Sequence, residues 1–243
     1  MNQPTRDLGT LRKGEVVGGL IYLPMFLVGT QILAVLIVLL FTGKRDYAEV
    51  SVPINLVYTG LNAVSLCLIF RHYLADQLRR LLARGWALFG YLLLGYAVYY
   101  GLALLISAAM ELLSELFHVE YYNANQETVE AILARAPLPS IFMICVLAPV
   151  GEELLFRGLI FCGLYRRSRP LAYALSMFAF ALVHVYGSMF SQPIGVTLLV
   201  LMAYLPHSFA LAWTYERSGT IFCSIFLHSV MNTLMLFLLQ AMR

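Results

Sequence analysis

Apolar runs long enough to cross a bilayer, about 20 residues each, fall near 16–41, 53–74, 86–113, 140–165, 171–191, 194–214 and 220–241. They are continuous and lack the period-two alternation of a membrane β-strand. The pattern predicts an all-α, polytopic transmembrane helix bundle of about seven to eight spans, forming a single integral membrane domain over residues 1–243. The run from Val16 to Phe41 is longer than a signal-peptide core and is not followed by a small-residue cleavage site, which predicts a retained span. Between the second and third runs, "YLADQLRRLLARGW" sets Leu74, Leu78, Leu81 and Leu82 against Arg79, Arg80 and Arg84. That amphipathic segment is expected at the headgroup level.

Composition agrees with the pattern. The chain is 61% hydrophobic and 12% charged, with a mean hydropathy of +0.80, outside the range of soluble domains. Cys67, Cys145, Cys162 and Cys223 lie inside apolar runs without C-x-x-C spacing, so they read as small buried hydrophobes. A formal charge of +3 is too small to suggest a nucleic-acid partner, and none is expected. Its distribution is more informative. Lys and Arg cluster at Arg6, Arg12 and Lys13, at Arg71, Arg79, Arg80 and Arg84, and at Arg166, Arg167 and Arg169. One alternation of spans puts all three groups in the cytoplasm, as the positive-inside rule requires. The connection from Ser114 to Pro139, with Glu115, Glu120, Glu127 and Glu130 against Arg135, then lies outside; Lys44 and Arg45, with Asp46 and Glu49 beside them, are the exception to the pattern.

Ionisable and amide side chains are costly within spans and mark functional sites by default. In the last four runs they reduce to Glu152, Glu153, Arg157, His184, His207, His228 and Asn232. Glu153 and Arg157 are four apart and share a helix face, about 40° apart at 100° per residue. Glu152 is turned about 100° from Glu153 and needs a partner on another helix. His184, one turn after Phe180, and His228, one turn before Asn232, are the candidates. His207, following Pro206, is expected to bond a carbonyl freed by the proline. Taken singly, an intramembrane histidine is as readily an interhelical contact. Three such motifs in order on three helices carry more weight.

Glu152, His184, His228 and Asn232 suit hydrolysis of an amide. A carboxylate near imidazole can deprotonate water, and a second imidazole with a carboxamide can hold the developing oxyanion. Glu152, His184 and His228 are also chemically suited to a divalent metal such as zinc, although the chain has no H-E-x-x-H. Pro149 and Gly151, just before Glu152, predict a kinked or locally opened helix.

"EELLFR" (Glu152, Glu153, Arg157), "FALVH" (Phe180, His184) and "HSVMN" (His228, Asn232) resemble the E-E-x-x-x-R, F-x-x-x-H and H-x-x-x-N/B signatures of the CPBP family of intramembrane proteases. That family includes the type II CAAX prenyl endopeptidases and bacterial proteins linked to bacteriocin processing and self-immunity. The resemblance covers the last hundred or so residues, with the motifs between 140 and 241. It implies an intramembrane endopeptidase, often labelled a metalloprotease, acting in the bilayer on a membrane-associated peptide or protein. Glu152 and His184 would activate water, His228 and Asn232 would hold the oxyanion, and Glu153, Arg157 and Phe180 would support the site. No cofactor is expected to be obligatory, with zinc as the alternative. The expected location is a bacterial cell membrane. The competing readings are a non-catalytic immunity or scaffold protein that binds a peptide, and a small proton-relaying transporter, the latter disfavoured because the two halves show no repeat.

Overall fold

The computed structural model describes residues 6–241, apart from the side chain of Tyr47. Regular structure among the described residues is helical: α1 (Lys13–Thr42), α2 (Tyr47–Ile69), α3 (Arg71–Arg84), α4 (Ala87–Phe117), α5 (Ala124–Arg135), α6 (Pro137–Tyr165), α7 (Arg169–Val185), α8 (Ile194–Ser218) and α9 (Ile221–Ala241). Six of these, α1, α2, α4, α6, α8 and α9, are long and apolar enough to cross a membrane, and α7 is a shorter apolar helix. The protein is an integral, multi-pass helical membrane protein with about seven spans, as the hydropathy pattern predicts.

Local chemistry fixes where the helices begin. Asp46 and Ser168 accept hydrogen bonds from Ala48 N–H and Leu171 N–H, capping α2 and α7. Pro170 sits in the first turn of α7, where its missing N–H is harmless. The α8 to α9 turn is made by Gly219 at φ 70°, a left-handed backbone that few side chains tolerate. Gly95 serves packing instead: a Cβ there would run into Thr214 Oγ1 and the Leu227 side chain, so its absence lets α4 lie close against α8 and α9.

At one end of the bundle the basic clusters meet. Arg80 reaches Asp7 at 3.0 Å, Arg166 reaches the same carboxylate at 3.5 Å, and Arg6 donates to the Arg217 carbonyl. Asp7 also accepts from Gly9 N–H, and that bond followed by the nearby Arg80 holds its carboxyl below the usual range. The amphipathic α3 carries one buried polar anchor on its bundle-facing side. Gln77 accepts from Ile221 N–H at 2.8 Å and donates to the Leu8 carbonyl at 2.8 Å. Buried Glu15 accepts from the N–H groups of Arg12 and Tyr73, both at 2.8 Å, and so caps two helices with one carboxylate. Below these contacts lies the largest apolar cluster, including Leu8, Phe70, Tyr73, Phe156, Leu159, Phe161, Tyr165 and Tyr215.

The opposite end holds α5, inside the connection that hydropathy leaves as a loop. Asn123 caps it through Gln126 N–H, and Arg135 at its last turn donates to the Ala48 carbonyl and Ser51 Oγ, both at 3.0 Å. The fifth apolar run is shorter than its hydropathy: α7 ends at Val185, and turns occupy the residues that follow. That early stop leaves room beneath α5.

Candidate active site

α6 carries both glutamates, and its backbone is unusual around them. The sequence suggests a kinked or locally opened helix around Pro149, and the backbone is opened there. It stays continuous and widens into π-helical turns at Met143–Leu147 and Leu154–Cys162, on either side of the glutamates. Single π turns inside α-helices often mark functional sites. In the first of them Ala148 N–H bonds the Met143 carbonyl, so the next carbonyl, Ile144, would need an N–H from Pro149. Proline has none. Asn232 of α9 supplies the donor instead, with Nδ2 2.8 Å from the Ile144 oxygen.

Glu153 and Arg157 form the ion pair expected from their spacing, at 3.1 Å, with both side chains fully buried. Burying ions is expensive unless every lone pair and proton finds a partner. Arg157 Nη2 donates to the Ser208 carbonyl at 2.8 Å and to Ser208 Oγ at 2.9 Å, and its guanidinium lies 4.6 Å from the Phe180 ring centroid, while its Nε is buried without a hydrogen-bond partner. Glu153 accepts from Ser224 Oγ at 2.5 Å and lies 3.0 Å from His228 Nδ1. The sequence reading made Glu153 a partner of Arg157 alone; its bond to His228 is visible only in three dimensions.

Glu152 points the other way. Its Oε2 is buried without a hydrogen-bond partner. It stands 3.9 Å from His184 Nε2 and 3.9 Å from His228 Nε2. The far nitrogens of both rings are committed. His184 Nδ1 lies 2.8 Å from the Phe180 carbonyl, which can only accept, so Nδ1 carries the hydrogen. The same argument puts a hydrogen on His228 Nδ1, facing the Glu153 carboxylate. In their neutral forms both rings therefore turn an Nε2 lone pair toward the side on which Glu152 presents its free oxygen.

The structure thus brings Glu152, His184, His228 and Asn232 onto the wall of one cavity of about 340 Å³. Phe180 packs against His184 with centroids 4.6 Å apart, as expected. Two further residues on that wall come from α8. His207 places its ring 4.7 Å from His228 and 5.5 Å from Phe180, and its Nε2 is buried without a partner. It faces the cavity, a position the expected bond to a freed carbonyl does not describe. Tyr204 stacks on His184 at 4.3 Å, while its hydroxyl accepts from Asn125 at 3.0 Å and from Asn123 at 3.4 Å. A second cavity of about 460 Å³ shares Asn125 and His184 with the first, so space continues past both sides of His184 beneath α5.

Glu152, His184 and His228 offer the donor chemistry of a zinc site, including Nδ1–H groups held by a carboxylate and a carbonyl. Among the described residues, however, no three His, Cys, Asp or Glu side chains are gathered as a set of ligands.

These features define a polytopic membrane protein with a buried carboxylate and histidine site open to a cavity. Over residues 134–234 the chain matches the family described as "Rce1-like: Type II CAAX prenyl endopeptidase Rce1-like", a segment containing all three motifs. It is 36% identical over 123 residues to "UPF0177 protein YaiF" of Lactococcus lactis subsp. lactis (strain IL1403), covering 49% of this chain and 50% of that protein. It is 28% identical over 123 residues to "Putative membrane peptidase YdiL" of Bacillus subtilis (strain 168), covering 47% and 46%. "UPF0177 protein YxdF" of the same Lactococcus strain is 31% identical over 102 residues, covering 42% and 51%. The chain spans about half the length of the curated relatives it matches. No solved structure matches it. The family match covers the segment that bears the three motifs and agrees with the resemblance read from them.

Proposed function

We propose that the protein is an intramembrane endopeptidase that hydrolyses a peptide bond in a membrane-associated peptide or protein, with Glu152 as the general base. The observation that carries this reading is the free, buried Oε2 of Glu152 at 3.9 Å from two imidazole Nε2 atoms on a cavity wall. Glu152 Oε2 and His184 Nε2, 3.9 Å apart, can share one water at ordinary hydrogen-bond lengths of about 2.8 Å. Such a water donates to two acceptors and keeps its lone pairs for a scissile carbonyl entering the cavity. Glu152, assisted by His184, takes the proton as the water attacks and returns it to the leaving nitrogen. The oxyanion is held by His228 and Asn232. Asn232 uses one amide hydrogen on Ile144 and has the second to give. In its imidazolium form His228 donates through Nε2, with Nδ1–H directed at Glu153. Arg157 and Phe180 hold Glu153 and His184 in place. No step needs a metal.

The relatives support the reading through the family description and the name of the Bacillus protein. The test is cleavage of a panel of membrane-associated peptides, prenylated and unmodified, by purified protein in detergent. Wild type is compared with Glu152→Gln and with chelator-treated wild type. Cleavage that survives chelator and is lost in the variant is expected. Loss in chelator would make the site metal-dependent, equal cleavage by Glu152→Gln would remove Glu152 as the base, and no cleavage by well-folded wild type would favour a binding protein.

A further inference from the structure

We infer that the active site is entered from the extracytoplasmic side, so that its substrate is an exported peptide or an external segment of a membrane protein. The inference rests on the proposed hydrolase reading for the word substrate, and on geometry for the side of entry. On the basic side a hollow of about 420 Å³ lined by Asp7, Tyr73, Arg80 and Arg166 shares no residue with the cavity of the site, and packed side chains lie between them. Phe156, Phe161, Tyr73 and Tyr215 have essentially no exposed surface. The Tyr73 and Tyr215 hydroxyls are 2.6 Å apart, and Tyr215 also donates to the Leu8 carbonyl at 2.9 Å. The chain before α1 is thereby pinned across that end as a stopper, held again by Gln77 and by the Asp7 pairs with Arg80 and Arg166. A peptide coming from this end would have to break a buried polar network and the largest apolar cluster.

The other side is open. The cavity that Glu152 lines is walled above by Asn123, Asn125 and Gln126 of the α5 region, and by Met235 toward the end of α9. The adjoining cavity ends at Gly187 and Ser188, beyond the early stop of α7. Among the described residues, none of the lysines and arginines gathered at the basic end lines either cavity. The basic end carries Arg6, Arg12, Lys13, α3 and the turn at Arg166 and Arg167, and the contacts above show that these lie together. Its concentration of lysine and arginine assigns it to the cytoplasm. The open end, with exposed Glu115, Glu120 and Glu127 and fewer basic residues, Lys44, Arg45 and Arg135, faces outward. A prenylated C terminus made in the cytoplasm would meet the closed end.

Labelling of single introduced cysteines with a membrane-impermeant maleimide decides the matter, with wild type as the control for the native cysteines. Asn125→Cys at the cavity mouth and Met235→Cys inside it are expected to react on intact cells, and Arg167→Cys only after permeabilisation. The reverse pattern would overturn the inference. Labelling needs no turnover, so a protein that cleaves nothing in detergent would refute the hydrolase reading while leaving the side of entry decided by this experiment.

Discussion

His228 Nδ1 lies 3.0 Å from Glu153 Oε1, which joins the last helix to the carboxylate that Arg157 already holds. One of two adjacent glutamates is thereby locked in the protein's interior, and its neighbour Glu152 keeps a free oxygen. Division of labour between residues 152 and 153 follows from this geometry. Glu153→Gln leaves a buried guanidinium without its counter-ion, and breaking such a pair costs about 3–5 kcal/mol. Thermal unfolding in detergent should show a large loss of stability for Glu153→Gln. A stability equal to wild type would mean that the pair contributes nothing to the fold.

Pro149 and Asn232 are coupled through the Ile144 carbonyl. Pro149→Ala restores an N–H that can take this carbonyl, and the Asn232 amide then loses its anchor. Misplacement of a catalytic group by a fraction of an ångström lowers turnover by roughly tenfold or more. We expect Pro149→Ala to unfold no earlier than wild type and to cleave more slowly. Equal losses of activity and folded yield would assign the proline to folding alone.

Tyr204 links α5 to His184 by its hydroxyl and its ring respectively. Tyr204→Phe removes the bonds to Asn123 and Asn125 and retains the stack. Amide exchange over 124–135 should quicken in this variant, while the limiting turnover stays within about threefold of wild type, the loss of one or two exposed hydrogen bonds being small. Tyr204→Ala, which also frees the His184 ring, should lower turnover further. Identical turnover in the two variants would show that the stack does not position the histidine.

Gly95 tests the packing. Gly95→Leu forces a side chain into the contact of α4 with Thr214 and Leu227, and overpacking of this kind costs about 1–3 kcal/mol. The melting temperature should fall. An unchanged value would mean that α4 can move away freely.

Much of this was legible in the chain. Bilayer thickness dictates span length, so the hydropathy runs located the crossing helices to within a few residues, and the scarcity of charges inside them isolated Glu152, His184, His228 and Asn232. The helix α5 escaped because its surface is polar, although Asn123 with Gln126 three residues on is the pattern of a capped helix start. Tyr204 and His207 share a face of α8, three residues apart, yet aromatic residues in spans pack far more often than they line sites. The π turns left no sequence signal beyond Pro149. The bond from Glu153 to His228 depends on how two helices rotate against each other, which hydropathy does not encode.

Glu152 as the base, and not Glu153, is tested by single-turnover peptide cleavage by Glu152→Gln at matched thermal stability. The geometry predicts a protein that unfolds with wild type and cleaves at least about a hundredfold more slowly, the range of general-base catalysis. A Glu152→Gln protein that cleaves at the wild-type rate would contradict the account.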